Sequence, residues 1–569
     1  MSASARLKVV LCWHMHQPQY RDLISTAYHQ PWTYLHAIKD YVDMVAHLEA
    51  APSARVVVNF APILLEQIDD YVRQVNGYLT NSMPIHDHLL ATLVGPVMPS
   101  GIEHRISLVK TLLRVNEQHG INRFPAYRRL ADLAALFMKN PETMTYVDDQ
   151  FLADLLVWYH LAWMGETVRR REGRVKELIA KECKYTLHDR RVLLEVIGEL
   201  LSGVIGRYKN LAESGRVELS MSPYAHPILP LLVDINCARD AIPNTPLPNM
   251  TQYPGGTERA RWHLVEGIRT FQKYFGIKPK GCWPSEGGVS TATISLLGEY
   301  GFKWAASGEN VFRNSTAKKY RQGETNEHSL YFPYQVSGSS TACFFRNDGL
   351  SDLIGFTYSN WHADDAVANL VHHLENIANA NASRPGSVVS IILDGENAWE
   401  HYPENGYYFL SALYESLVNH PRLELTTFSD YLEKEQAHVG ELPALVSGSW
   451  VYGTFSTWIG GTDKNRGWEM LGDAKQTFDR LIASDRLTNE QLIRAQQQLA
   501  ICEGSDWFWW FGDYNPAATV SDFEQLYRQH LTNLYQMLTE EPPEYLSHVF
   551  TRGKGAPKVG GVMRTGLQT

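Results

Sequence analysis

Two kinds of apolar pattern alternate along roughly the first 440 residues. Short runs rich in β-branched residues, Leu7–Trp13, Arg55–Phe60, Val217–Ser222, Lys280–Trp283, Lys303–Ser307 and Ser387–Leu393, read as strands. Several are apolar almost without interruption, VVSIIL being the clearest, which is the pattern of a strand buried on both faces of a parallel sheet. Between them the apolar positions recur every three to four residues. This predicts helices over Asp149–Thr167, Arg190–Glu213, Glu258–Phe275, Thr291–Tyr300, Asp364–Ala380 and Tyr408–Asn419. Strand–helix alternation at this length predicts an α/β barrel.

Beyond about residue 440 the strand pattern stops. Ala474–Ala483, Thr488–Glu503 and Ser521–Leu538 read as amphipathic helices, so residues 441–569 are expected to form a C-terminal α-helical bundle against a catalytic barrel with helical insertions at 1–440. The stretch from Thr551, TRGKGAPKVGGVMRTGLQT, is Gly-rich and basic and is expected to fray as a flexible tail.

At 569 residues and 44% hydrophobic, the chain can bury a large core. A net charge of -10 argues against a nucleic-acid partner. The basic stretch Arg169–Lys176 reads as a solvated helix face. No apolar run reaches ~18 residues, which argues against a membrane span. The N-terminal stretch is interrupted by His14 and His16 too early for a signal peptide, and six scattered cysteines lack any CxxC pair; a reduced, cytoplasmic protein is expected. The 15 Trp and 29 Tyr would supply flat faces for sugar rings, although most belong in the core.

Catalytic groups of a parallel barrel project from the C-terminal strand ends, and four expected strands end in polar clusters. The first runs into His14-Met-His16-Gln17-Pro18, with both histidines on one side. The Val217 strand carries Glu218, Ser220 and Ser222 on one face and leads to His226. Two others deliver Trp283-Pro-Ser-Glu286 and Asp394-Gly-Glu396-Asn-Ala-Trp399. Two carboxylates from different strand ends are the equipment of glycoside cleavage, and a separation of roughly 5–5.5 Å gives retention. Glu286 and Asp394 fit, although position alone does not single them out among 62 acidic residues. His86-Asp-His88 resembles a metal pair but has no third ligand in view and reads as surface. The run Trp507–Trp510 reads as packing between bundle and barrel.

In order, LCWHMHQPQY, GRVELSMSPYAHPILPLL, GCWPSEGGVS, SIILDGENAWEHYPENG and EGSDWFWWFGDYNP resemble the five signatures of glycoside hydrolase family 57. FFRNDGLSDLIGFTYSNW, which contains Asp352, and SGSWVYGTFSTWIGGTDKNRGWEML resemble its amylase and amylopullulanase branch. The resemblance runs from His14 to about Tyr514. It implies an incomplete (β/α)7 barrel followed by helices, a retaining mechanism, and no obligatory metal or cofactor. It also implies Glu286 as nucleophile and Asp394 as general acid/base. By the same resemblance His14, His16, Gln17, Glu218, His226 and Asp352 contact the sugar, Trp283 and Trp399 are stacking platforms, and Asp506 and Trp507 close one wall. Asn347, where that branch has Asp, leaves one contact open.

The implied substrate is an α-1,4-linked glucan: malto-oligosaccharide, starch or glycogen. Transfer to another glucan, as in a 4-α-glucanotransferase, and cleavage of α-1,6 bonds remain alternatives that the sequence does not separate. A metal-dependent hydrolase or deacetylase using His14 and His16, and a non-catalytic glucan-binding protein, are the readings from other classes.

Overall fold

A computed structural model of the chain describes residues 6–320, 329–484, 486–555 and 563–566. Its sheet comprises ten strands: β1 (Leu7–Met15), β2 (Val56–Phe60), β3 (Val217–Met221), β4 (Gly281–Cys282), β5 (Trp304–Ser307), β6 (Tyr334–Val336), β7 (Ala342–Phe345), β8 (Val388–Asp394), β9 (Leu423–Leu425) and β10 (Gly440–Leu442). All six expected strands are present within a few residues. The short β6, β7, β9 and β10 were not anticipated; three or four residues are too few to show a period.

The strands β7-β5-β4-β3-β2-β1-β8 run parallel, side by side. The sheet curls until its two ends touch: Arg346, just after β7, forms a parallel bridge with Ser390 of β8, and the Asn347 amide donates to the Ser390 carbonyl at 2.8 Å. The seam is reinforced by Arg346 Nε donating to the Ile392 carbonyl and by the Val388 amide donating to the Tyr331 carbonyl, both at 2.8 Å. β6 pairs antiparallel with β7 and carries β10, whereas β9 pairs with the start of β1.

Alternation along the strands sorts residues into an outer and an inner set. Val9, Leu11, Trp13 and Met15 of β1 join the large core beneath the helices. Val10 and Cys12 join a separate inner cluster with Val57, Trp304, Ala306, Phe344, Val388 and Ile392. Phe428 and Tyr431, from the helix Phe428–Lys434, belong to the same cluster and stopper the barrel at the N-terminal strand ends. The interior is thus filled from below, and the inner positions at the upper strand ends, His14, Asn59, Ser220 and Asp394, are brought level by register, His14 pairing with Asn59 and Asp394, and Asn59 with Ser220.

After residue 440 come the helices Thr462–Ile482, Asn489–Cys502, Ser505–Trp510 and Ala517–Met537. The first starts twelve residues before the expected Ala474, because Gly467 and Gly472 interrupt its apolar stripe. Gly467 admits Phe511, which a Cβ there would meet at 2.9 Å.

Two expectations need correction. Arg169 is not solvated: its side chain is 8% exposed and pairs with buried Glu166, which also holds Arg123 and Arg170. Residues 551–555 do not fray, since Thr551 is buried, donates to Asp463 and accepts from the Gly512 amide. Residues 563–566 are also fastened to the body of the molecule, whereas 556–562 and 567–569, the rest of the expected tail, lie outside the described residues. Among the described residues no helix is long and apolar enough to cross a membrane.

Candidate active site

A cavity of about 370 Å³ opens over the C-terminal strand ends. His14, His16, Gln17, His226, Glu286, Asp394 and Asp506, seven of the twelve residues singled out from the sequence, line it. Each arrives by a different route. His14 and Asp394 are the last inner positions of β1 and β8, and His16 follows His14 on the same side. His226 and Glu286 sit in the turns after β3 and β4. Both adopt left-handed backbone, φ 60° for His226 and φ 57° for Glu286, a costly state for residues with a Cβ and one that recurs at functional positions. Asp506 comes from the helix Ser505–Trp510, whose Ser505 amide donates to the His226 carbonyl at 2.9 Å.

The two carboxyls of interest have contrasting surroundings. Glu286 accepts from the Trp450 indole Nε1–H at 3.0 Å on Oε2 and from the Ser505 hydroxyl at 3.4 Å on Oε1. Asp394 accepts from Asn397 Nδ2 at 2.8 Å. Burial raises both, and the negative charges of Asp394 and then Asp506 push Glu286 further, to about 8. Asp394 is raised to about 6, burial outweighing the Asn397 hydrogen bond and the nearby His16 and Arg346. The two carboxyls therefore titrate as a pair, with apparent values of about 6 and 8.

Three imidazoles form one wall. His16 and His226 stack at 3.8 Å and 21°, and His14 lies 5.1 Å from His226. His14 Nδ1 bonds Asn59 at 2.7 Å, and burial lowers its pKa to about 3. His226 is also pushed well below its usual value, by burial and then by His16 and His14. Its Nδ1 bonds Ser505 Oγ at 3.0 Å, so Nδ1 carrying the proton leaves Nε2, which has no protein partner, as an acceptor. His16 Nε2 bonds Asp506 at 2.9 Å.

His16, His226 and Asp506 are also the one group among the described residues whose atoms lie close enough to hold a metal, within 4.8 Å of one another. The fit is poor. Lone pairs lie in the ring planes, and planes 21° apart at 3.8 Å do not converge at the ~2 Å needed for a metal–nitrogen bond. Asp506 is also already engaged by His16.

Five expected contact residues do not line the cavity. Glu218 is on the inner face but a layer too low, opposite Val57 rather than Asn59; two residues of strand are roughly 6.6 Å. There it accepts from Trp304 Nε1 at 2.7 Å and the Ser429 amide at 2.9 Å. Trp283 and Trp399 are buried: the first packs on Trp450 in the inner cluster, and the second donates to the Gly395 carbonyl. Trp507 is buried and bonded to the Ile501 carbonyl. Asp352 accepts from Arg346 at 2.8 Å and from the Gly566 amide at 2.9 Å, buttressing the seam. Asn347 caps the helix Asp348–Asp352 through the Leu350 amide.

Other lining residues escaped the sequence reading. Glu396, two beyond Asp394, could have been found by the period-two argument that joins His16 to His14. Its Oε1 receives the His16 amide, Gln17 Nε2 and Tyr41 OH, all at 3.2 Å, and its Oε2 has no protein partner. Trp32, Trp163, Trp450, Trp509 and Trp510 give the cavity its aromatic surface, and Arg346 and Arg564 complete it. Nothing local to any of these marks it out.

The family model described as Glycosyl hydrolase family 57 matches residues 10–442. The chain is 23% identical over 400 residues to the 1,4-alpha-glucan branching enzyme TK1436 of Thermococcus kodakarensis, covering 58% of this chain and 55% of that protein, so it spans about half the length of that curated relative. The crystal structure of TK1436 superimposes with a TM-score of 0.57 at 16% identity, covering 93% of this chain and 88% of that one. That of the alpha-amylase AmyC from Thermotoga maritima gives 0.57 at 14% identity and 94% coverage of both chains. At such identities the superpositions speak for the fold: a curled α/β sheet surrounded by helices.

Proposed function

Because the chain belongs to glycosyl hydrolase family 57 and is an enzyme of glycoside-hydrolase type, we propose that it cleaves α-1,4-glucosidic bonds of α-glucans with retention, Glu286 acting as nucleophile and Asp394 as general acid/base. The observation that carries this reading is the convergence of the two partly buried carboxyls, from different strand ends, on one aromatic-lined cavity. On this reading residues 1–440 are an incomplete (β/α)7 barrel, and 441–569 a helical domain that lends Trp450 and Asp506 to the cleft.

In the first step Glu286 attacks the anomeric carbon, and the bond to the departing glycosidic oxygen breaks as Asp394 gives that oxygen its proton. In the second, Asp394 takes a proton from the incoming hydroxyl, which displaces Glu286 from the sugar. Trp450 Nε1–H can only donate, and with the Ser505 hydroxyl it favours the anionic form of Glu286. Positive charge developing on the sugar ring beside Glu286 favours its ionised form and leaves the proton to Asp394. His14 and His226, kept neutral by burial, serve the sugar hydroxyls without adding charge.

Water is the proposed acceptor in the second step. Transfer to a second glucan is the other reading, favoured by the aromatic lining, which suits a carbohydrate acceptor, and by the name of the branching-enzyme relative. Products from maltoheptaose and pullulan, followed over time, decide. Only shorter maltodextrins with rising reducing ends support hydrolysis. Longer or branched products move the reading to transfer, and maltotriose from pullulan moves it to α-1,6 cleavage. No product from any α-glucan between pH 5 and 9 would overturn the proposal.

A further inference from the structure

Residues 563–566 return to the cavity from the far end of the sequence. The Gly566 carbonyl accepts from the Tyr452 amide at 3.2 Å and Asn310 Nδ2 at 3.0 Å, and its amide donates to Asp352 at 2.9 Å. A Cβ at this position would stand 2.5 Å from the Asp348 carboxyl carbon, so the dock accepts glycine and nothing larger without displacement. Two residues earlier, Met563 and Arg564 line the same cavity as Glu286 and Asp394.

The Arg564 guanidinium is held on its face and at one edge. It lies 4.5 Å from the Trp509 ring and 4.9 Å from Tyr514, and Nη1 donates to Thr457 Oγ1 at 3.2 Å. Its Nη2 is buried with no acceptor in hydrogen-bond geometry, and, against the effect of burial, Lys464 and the guanidinium hold the Tyr514 hydroxyl below its ordinary pKa. An arginine serving only to pin down a terminal segment would be expected to have its fork filled by a carboxylate or by carbonyls, as Arg346 has with Asp348, Asp352 and the Ile392 carbonyl. Arg564 is instead held by two aromatic rings and Thr457, and it forms part of the wall of a sugar-sized space beside Trp509, which also lines it.

We propose that Arg564 is a glucan-binding residue: placed by the Gly566 dock, it donates to hydroxyls of a glucosyl unit remote from the cleaved bond, in a subsite whose other face is aromatic. This rests on the α-glucan reading above. The contact is the same in ground and transition states, so it governs affinity for longer chains rather than the chemical step.

The test is maltoheptaose binding by calorimetry in the Glu286→Gln protein, which should bind without turnover. Adding Arg564→Ala is expected to weaken binding about tenfold, and Arg564→Lys, which keeps the charge but loses the fork, to recover only part of it. With Glu286 intact, Arg564→Ala and Gly566→Val should each raise KM about tenfold and change kcat by less than about threefold. A purely structural residue would instead lower the melting temperature and kcat together. Maltoheptaose affinity within twofold of the parent in both Arg564 variants overturns the proposal. If the Glu286→Gln parent itself does not bind maltoheptaose, it is the α-glucan reading that has failed.

Discussion

Trp450 Nε1 donates to Glu286 Oε2 at 3.0 Å from a position 164 residues further along the chain, and the Trp450 amide donates to the Glu286 carbonyl, also at 3.0 Å. Backbone and side chain of the proposed nucleophile are thus positioned by one residue. The indole favours the ionised carboxyl, so Trp450→Phe should raise the Glu286 pKa further. The expected result is a kcat lower by on the order of tenfold and an alkaline limb of the pH–rate profile moved upward. An unchanged alkaline limb would show that the indole does not hold this carboxyl.

The pair also sets the pH range of activity. With Asp394 raised to about 6 and Glu286 to about 8, both carboxyls are protonated at low pH and no nucleophile exists, while above the higher value neither can donate. kcat/KM on a soluble maltodextrin should be bell-shaped, with its plateau between about 6 and 8. Because the folded value of Glu286 exceeds its ordinary 4.5, the stability linked to its neutral form is complete below about 4.5 and lost as pH rises toward 8. Glu286→Gln cannot ionise. It should therefore melt about 2 °C or more above the parent at pH 8.5, and level with it at pH 4.

Roles within the pair are separable. Glu286→Gln should lose turnover, and azide added to Glu286→Ala should restore it by forming the inverted β-glucosyl azide, identified by NMR. Asp394→Asn should suffer least on an activated aryl glycoside, whose leaving group needs no proton. Equal losses on good and poor leaving groups would move the acid role to another carboxyl, Glu396, Glu400 and Asp506 being the others at the cavity.

Glu218→Gln tests the layer assignment. Gln supplies one acceptor oxygen where Trp304 and Ser429 now use both of Glu218, so a buried donor is left unmet. A melting temperature lower by about 2 °C or more is expected, with kcat/KM on maltodextrin within threefold of the parent. A hundredfold loss of kcat at unchanged stability would return Glu218 to the sugar site.

What the sequence revealed follows from how far each signal reaches. The long strands β1 and β8 showed their apolar runs, and the polar residues beyond them and beyond the short β4, namely His14, His16, Asp394 and Glu286, were legible because a strand end in a parallel sheet of this kind is a functional position. Depth was not legible. Glu218 sits on the expected face, and only the register of β3 against β2 reveals it as a floor residue. Tryptophan near a strand end reads the same whether it faces sugar or core. Trp283 and Trp399 turned inward, while Trp450 and Trp509, delivered by segments remote in the chain, line the cavity. Arg564 was invisible for a similar reason: its segment has the composition of a loose tail, and contacts to residues far away in the chain, among them Tyr452, Asn310, Asp352 and Thr457, hold it.

Where the curled sheet meets itself, Arg346 pairs with Ser390, and its side chain reaches well past that pair. The Arg346 guanidinium spans the Ile392 carbonyl on one side and Asp348 and Asp352 on the other, and its carbon lies 5.4 Å from the ring of Trp450. Any parting of β7 from β8 therefore withdraws support from the indole that aims Glu286. Breathing of the cylinder and misalignment of the attacking oxygen become one motion, so catalytic output should fade on warming before the helices around it begin to melt.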